Sequence, residues 1–453
     1  MSNSSEHIEV PIVGRAPKRV RLAAAAPFGW WPAICVALIA FIDRVEFNLM
    51  AGALADIQRE IGFGDTAGGA IATAASLAGV ILLIPAGRLA DRGRRTWTLA
   101  LVVGVWSLLT LGSGLVTTYA LLFTVRVLLG GAGLLYNPAA SSLLADYFPG
   151  SSRARAFSLE RFGYFAGPPV GIIAGGALAD AYGWRTMFFL VAVPGVLIAL
   201  LCLTLREPER GTGDRIELLR TGQAPPVAPA PEPAAGSKGR ASVLAEMRDL
   251  LRIRTLRAIV MGLGTVFFGV SGLMFWLPTF YQRTFDLPLG AASGMAGGVG
   301  LLGIVAGSII GARLGDKGHG VRPGWRVTLG AWGLLVGAVS LTGAAVLLVL
   351  PAQLICLALS TAGFLVAIPS LTAATADVVP ASRRGLGFAL LQFLISLAGS
   401  AGPLMVGAFS DATGSLRWAY AILSIPLLAG ALLAFRGRSS LEDDRKAALQ
   451  DLQ

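Results

Sequence analysis

Runs of about 20 apolar residues recur from one end of this chain to the other, each long enough to cross roughly 30 Å of hydrocarbon as a helix. "TLALVVGVWSLLTLGSGLV" and "WAYAILSIPLLAGALLAF" are two of them. Inside lipid every backbone N–H and C=O must find a partner within the protein, which leaves only helices and closed barrels. No succession of ten-residue alternating strands is present, so the helical solution is the one expected. With 55% hydrophobic and 14% charged residues, the chain lies far from the roughly 25% charged of a soluble domain. The reading is an all-α membrane protein with twelve spans, at about 31–52, 66–90, 96–115, 118–146, 155–181, 185–206, 257–281, 288–314, 325–346, 350–376, 385–410 and 417–436. Two six-helix bundles, 31–206 and 257–436, then flank a linker at 207–256, with a basic tail at 1–30 and a second tail at 437–453.

Lysine and arginine gather on the side of a membrane from which the chain is not translocated. With the N-terminus inside, that side holds all of the 37 Lys and Arg residues except seven named ones. Arg59, Arg185, Arg283 and Arg417 fall outside; Arg44, Arg126 and Arg161 lie within spans. Both termini are therefore expected in the cytoplasm of a plasma (inner) membrane, and the net charge of +11 is retention charge rather than a nucleic-acid footprint. The first 30 residues lack the short apolar core and small-residue cleavage site of a signal peptide. Cys35, Cys202 and Cys356 fall in apolar segments and give no disulfide framework. His7 and His319 are too far apart to suggest a metal cluster, and no nucleophile–base pair or phosphate loop appears. No enzyme, cofactor or metal is expected. The linker contains "APPVAPAPEPAAGSKG", an extended connector, followed by "SVLAEMRDLLRIRTLR", which reads either as an amphipathic surface helix or as a solvated charged segment.

The halves echo one another. At an offset of 231, Pro138, Asp146, Pro149, Arg153, Gly171, Gly176, Asp180 and Gly183 meet Pro369, Asp377, Pro380, Arg384, Gly402, Gly407, Asp411 and Gly414. Six spans, a linker and six similar spans are the plan of a rocking transporter with its site near mid-membrane. "GRLADRGRR", Gly87 to Arg95, resembles the loop motif between helices two and three of the major facilitator superfamily, with a second copy in "ARLGDKG" from Ala312. The resemblance implies a conformational latch of Gly87, Asp91, Arg92 and Arg95, joined by Asp146 and Arg153. "FIDR" in span one, "RVLLGGAG" and "SLLADYFP" in span four and "GGALADAYGWRTMFF" around span six resemble the Spinster-like transporters and, next, the related organic-anion symporters.

A charge at bilayer centre costs about 2.5–3.5 kcal/mol on insertion scales, and it persists when paired or facing a wet cavity. Asp43 lies about 18 Å along span one, and Arg126 about 12 Å along span four from the other end, so their depths match. The expectation is that Arg126 faces the central cavity near Asp43 and either holds it charged or binds an anionic substrate, with Asp43 the protonatable group; the resemblance also implies proton coupling and substrate handling for this aspartate and arginine. The structural alternative is a static buried pair. Glu46 shares a face with Asp43 and is a second proton-coupling candidate; Asn48, a substrate-binding candidate, neighbours Arg44, which diverges by about 100° and is expected to turn toward another helix. The Spinster pattern places a glutamate at position 133, where this chain has Gly133; Glu160 is the expected substitute, or else a partner of the latch.

"GYFAGPPVGIIAGG" approximates the helix-five glycine–proline motif of superfamily antiporters, with Gly163, Gly167, Pro168 and Gly171, or is a tight helix contact. Tyr136, Asn137, Trp276 and Gln392 are expected to line the cavity. Together these features imply a secondary active transporter, working as a monomer, that moves an amphipathic or anionic small organic molecule by alternating access. Proton-coupled export is the first expectation, organic-anion uptake by symport the second, and a transporter-like sensor or scaffold the third.

Overall fold

The computed structural model describes residues 7–22, 24–92, 94–133, 135–222, 240–317, 324–347, 349–380 and 383–450. A hairpin of β1 (His7–Ile12) and β2 (Arg15–Arg21) precedes α1 (Trp31–Ile61), α2 (Asp65–Arg92), α3 (Arg95–Leu115), α4 (Tyr119–Gly133), α5 (Tyr136–Tyr147), α6 (Gly150–Tyr182) and α7 (Trp184–Cys202). The linker contributes α8 (Thr212–Arg220) and α9 (Arg240–Leu250). The second half is α10 (Arg254–Phe285), α11 (Leu289–Lys317), α12 (Trp325–Val346), α13 (Leu350–Val378), α14 (Arg384–Thr413) and α15 (Leu416–Gln450). Among the described residues, eleven stretches are long and apolar enough to cross a membrane, and α4 with α5 makes one of them. The 31-residue α1 is the twelfth span; Asp43, Arg44 and Glu46 in its middle keep it out of that purely apolar set.

The chain forms two compact units, and they do not follow the two sequence halves. Unit 1 holds residues 1–49, 78–171 and 182–237; unit 2 holds 50–77, 172–181 and 238–453. The ends of α1, α2 and α6 away from the linker thus belong with the second-half helices. The reason is close packing within unit 2: a Cβ on Gly69 would run into the backbone of Pro403, and one on Gly407 into the carbonyl of Asp65.

Within unit 1, α1 and α6 meet along one stripe. Gly163, Gly167 and Gly171 recur every fourth residue, and they face Ala37, Phe41 with Arg44, and Val45, which recur every fourth residue on α1. A Cβ on Gly167 would collide with the Arg44 side chain, and one on Gly171 would lie 2.5 Å from the Val45 carbonyl. This is the small-residue contact that lets membrane helices approach closely. On α3, Leu101, Leu108 and Leu115 are exposed at heptad spacing while Leu99, Val103, Trp106 and Thr110 are buried. The exposed stripe is the lipid face, since lipid is as apolar as leucine.

Two segments read as tails have regular structure. The segment expected as a basic tail contains the hairpin, turned at Gly14 (φ 71°), and it docks by a Val13 N–H bond to the Glu207 carbonyl at 2.9 Å and a bridge between Ile12 and Pro208. Val10, Ile12 and Val20 are its buried face, a pattern hidden among the surrounding charges. The C-terminal segment continues α15 to Gln450 without a break, and the Asp444 carboxylate accepts the Thr255 N–H at 2.8 Å, capping α10.

Candidate functional site

The charges of α1 sort into two groups within unit 1. Asp43 does not pair with Arg126, as its depth suggested. Arg44 folds back instead, and its Nε and Nη2 lie 2.7 and 2.5 Å from Asp43 Oδ2. Adjacent Cα–Cβ directions do diverge, but the arginine stem is long enough to return. The guanidinium is further boxed by the Phe47 and Tyr164 rings at 5.3 and 5.0 Å. Gly133 explains itself here: a Cβ at that position would lie 2.7 Å from Asp43 Oδ1. The aspartate therefore occupies the ground that a side chain at 133 would need. Just beyond, the Leu135 N–H bonds to the Ala132 carbonyl at 3.0 Å, and α5 starts at Tyr136.

Arg126 belongs with Glu46. It is 3% exposed, donates Nη2 to the Phe47 carbonyl at 3.0 Å and the Glu46 carbonyl at 3.4 Å, and lies over the Phe188 ring at 5.7 Å. The Arg126 and Glu46 side chains form no direct salt bridge; the contact between the residues is the one to the Glu46 backbone carbonyl. Glu46 is 1% exposed, and its Oε2 accepts the Thr110 hydroxyl at 2.8 Å. Its Oε1 has no hydrogen-bond partner and rests over Gly195, where a Cβ would come within 2.8 Å. Arg126 Nη1, Tyr136 Oη and Trp106 Nε1 likewise have no partner in the protein, and the Trp106 and Tyr136 rings meet edge to face at 5.9 Å. Buried polar groups in folded proteins are nearly always satisfied. Four unpaired ones lie on α1, α3, α4 and α5 of unit 1.

Other expected site residues have different surroundings. Asn48 donates to the Arg44 carbonyl at 2.8 Å, and Asn137 is half-buried at the start of α5. Glu160 is buried on α6 and pairs with Arg161 at 3.3 Å. Trp276 is not a cavity residue: its indole is fully buried in unit 2, and its N–H is committed to the Pro403 carbonyl at 2.9 Å. Gln392 is exposed on α14 and donates to Ser396 at 3.1 Å. Pro168 lies within α6 beside Gly167.

Of the latch, Gly87, Asp91 and Arg92 have side chains outside the described residues. Arg95 is a buried knot of unit 1. It pairs with Asp146, with Glu207 at 2.7 Å, with Ser142 Oγ at 3.0 Å and with the Pro208 carbonyl at 2.9 Å. Glu207 also caps α3 through the Thr96 N–H at 2.9 Å, and Asp146 accepts the Gly211 N–H at 2.8 Å. Arg153 joins the Asp214 carboxylate at 2.6 Å. Glu207 escaped the sequence reading because it lies beyond span six, next to the proline that starts the linker.

A second cluster, unanticipated, closes the ends of helices away from the linker in unit 2. Asp65 receives both Arg283 guanidinium nitrogens at 2.6 and 2.8 Å, Gln58 at 2.9 Å and Ser410 at 2.6 Å. Asp411 caps α2 by accepting the Asp65 and Thr66 N–H groups at 3.1 and 2.8 Å. Its repeat mate Asp180 approaches the first turn of α11, where a Cβ on Gly290 would lie 2.9 Å from Asp180 Oδ2. The repeat pair Asp180 and Asp411 was the signal that could have found this cluster.

The Major Facilitator Superfamily profile matches residues 36–352 and 290–451. Protein spinster of Drosophila melanogaster is 27% identical over 428 residues, 90% of this chain and 66% of that protein. Human spinster homolog 1 is 31% identical over 56% of this chain and 46% of its own length, so the chain spans about half to two-thirds of these relatives. An MFS-type efflux pump of Mycolicibacterium smegmatis is 30% identical over 84% of both chains, and the "Probable L-galactonate transporter" of Escherichia coli is 26% identical over 98% of this chain and 96% of that one. The fold matches the crystal structure of a bacterial homolog of the human lysosomal transporter Spinster, inward-facing and unoccupied, with a TM-score of 0.75 and 22% identity over 94% of this chain and 99% of that one.

Proposed function

The chain belongs to the major facilitator superfamily, and on that premise we propose that it is a secondary active transporter that loads a small organic anion together with a proton and moves both by alternating access. The observation that carries this reading is that Glu46 and Arg126, in contact through the Glu46 backbone carbonyl, are each buried and each have one unpaired polar atom. While Glu46 is ionised, it compensates the Arg126 charge. A proton on Glu46 removes that compensation and leaves a buried guanidinium, a state that costs several kcal/mol unless another anion arrives. A ligand carboxylate at Arg126 Nη1 supplies it. Proton and anion therefore strengthen each other's binding, as linkage requires, and the pair couples their movement in one direction.

Asp43 has a different part in this reading. Its carboxylate is already matched by Arg44, so it anchors the α1 charges rather than exchanging the proton. Glu160, half-satisfied by the exposed Arg161, is a weaker candidate than Glu46 for the same reason. The α6 glycines are accounted for by their contact with α1, and they add nothing to the choice between export and uptake. The charge geometry favours symport. The likeness to an L-galactonate transporter makes sugar acids the first ligand class to test. The charge asymmetry of the loops supports a cytoplasmic linker side.

The test is counterflow in proteoliposomes, using a carboxylate found by thermal stabilisation in a panel that starts from L-galactonate. Arg126→Gln keeps bulk and polarity but removes the charge. It is expected to reduce counterflow at least tenfold. Counterflow at the wild-type rate in that variant would remove Arg126 from anion binding.

A further inference from the structure

On the linker side of unit 1, the docked hairpin encloses a recess of about 160 Å³ with the start of α1 and the end of α7. Lys18, Phe28, Trp31, Tyr147, Thr204 and Arg206 line it. The hairpin is held over this spot by the Val13–Glu207 and Ile12–Pro208 contacts, so Lys18 on β2 is brought to face Arg206 from a distant part of the sequence. The walls are fixed: Trp31 Nε1 donates to Thr204 Oγ1 at 3.0 Å, Phe28 and Tyr147 meet edge to face at 5.2 Å, and the Tyr147 hydroxyl donates to the Arg206 carbonyl.

Two cations share this recess, and no described carboxylate pairs with either side chain. Glu207, adjacent in sequence, is already spent on Arg95. The Lys18 ammonium stacks on Phe28 at 5.7 Å, and burial, then the Arg206 guanidinium, hold it below its ordinary pKa. Like charges brought together in a preformed recess are unfavourable until an anion bridges them. The recess also has an interfacial border: Trp30 and Trp31 are both exposed where α1 begins, and tryptophan seats at the headgroup level of a bilayer. Paired basic residues beside interfacial tryptophan fit a phosphate group presented by lipid.

We propose that this recess is a binding site for the phosphate group of an anionic phospholipid in the leaflet on the linker side. Neither Glu46 nor Arg126 lines this recess. The site rests on the orientation proposed above only for the name of the leaflet, the inner one. Its test is made in detergent, where orientation does not enter, so the two readings fail separately.

Thermal stability of the full chain is titrated with phosphatidylglycerol, with phosphatidylcholine and with inorganic phosphate. Phosphatidylglycerol is expected to stabilise saturably, phosphatidylcholine and inorganic phosphate much less. In Lys18→Gln/Arg206→Gln the half-saturating phosphatidylglycerol concentration is expected to rise at least tenfold. The same variant without lipid should unfold near the wild-type temperature, since the repulsion it loses offsets the lost Lys18–Phe28 contact. Arg19→Gln, on the exposed Glu9 pair of the hairpin, is expected to titrate like wild type. Wild-type lipid response in the double variant, or equal stabilisation by phosphatidylcholine, would overturn the site. Inorganic phosphate acting as strongly as the lipid would overturn the phospholipid as its occupant.

Discussion

Glu46→Gln is expected to exchange substrate anion across a membrane at near the wild-type rate while losing accumulation driven by a pH gradient. Glutamine reproduces the shape of the protonated acid and keeps a carbonyl oxygen for the Thr110 hydroxyl, now at 2.8 Å. It also leaves Arg126 without its compensating charge, the condition proposed for anion binding. The variant is thus held in the proton-loaded form. Exchange needs only the loaded carrier to reorient, but coupled accumulation needs the empty carrier to release its proton. Accumulation should fall at least tenfold, to the level seen without a gradient. Asp43→Asn differs in kind. It breaks the ion pair to Arg44 and leaves that guanidinium on two aromatic rings, so its first effect is on folding of the α1–α6 contact. Gradient-driven accumulation that survives Glu46→Gln but disappears in a well-folded Asp43→Asn would return the proton to Asp43.

Arg95→Met is expected to destabilise the protein more than any other single change in the linker-side network. Arg95 is 1% exposed and neutralises two carboxylates at once, Asp146 and Glu207. Methionine fills similar space and leaves both acids buried without their cation. Removing one partner of a buried pair costs about 3–5 kcal/mol. Arg95→Lys should recover little, because one ammonium cannot reproduce guanidinium bonds directed at Asp146, Glu207, Ser142 and Pro208. Thermal unfolding in detergent reads both variants. A wild-type unfolding temperature for Arg95→Met would show that the knot contributes no stability, and the latch would then be a dynamic contact alone.

The bundle was legible because hydrocarbon length and the demand for internal hydrogen bonds leave so few solutions. The repeat, too, was written in the sequence at a fixed offset. Pairing within the site was harder to read. Helical geometry separates Asp43 from Arg44 by about 100° at the backbone, but the arginine stem is longer than that separation. The sequence therefore suggested Asp43 with Arg126, whereas the structure pairs Asp43 with Arg44 and sets the Arg126 guanidinium on the Glu46 and Phe47 backbone carbonyls. Gly133 looked like a missing acid; it is the space that the Asp43 carboxylate fills. Trp276 shows the reverse error, since an aromatic in an apolar span is as readily a buried wedge as a ligand contact. Glu207, Asp65 and Arg283 act across long sequence separations at helix ends, where hydrophobic periodicity carries no information. The hairpin was obscured because its buried valines and isoleucine alternate with basic and acidic residues.

The central claim is that anion and proton travel together through the Glu46–Arg126 pair. Its most direct measurement is the pH inside weakly buffered proteoliposomes when a gradient of the stabilising carboxylate is imposed, in the absence of any other driving force. The lumen is expected to acidify as the anion enters, in fixed proportion to the anion taken up, and Glu46→Gln is expected to abolish the acidification. Anion entry with no pH change, or with the lumen turning alkaline, would contradict it.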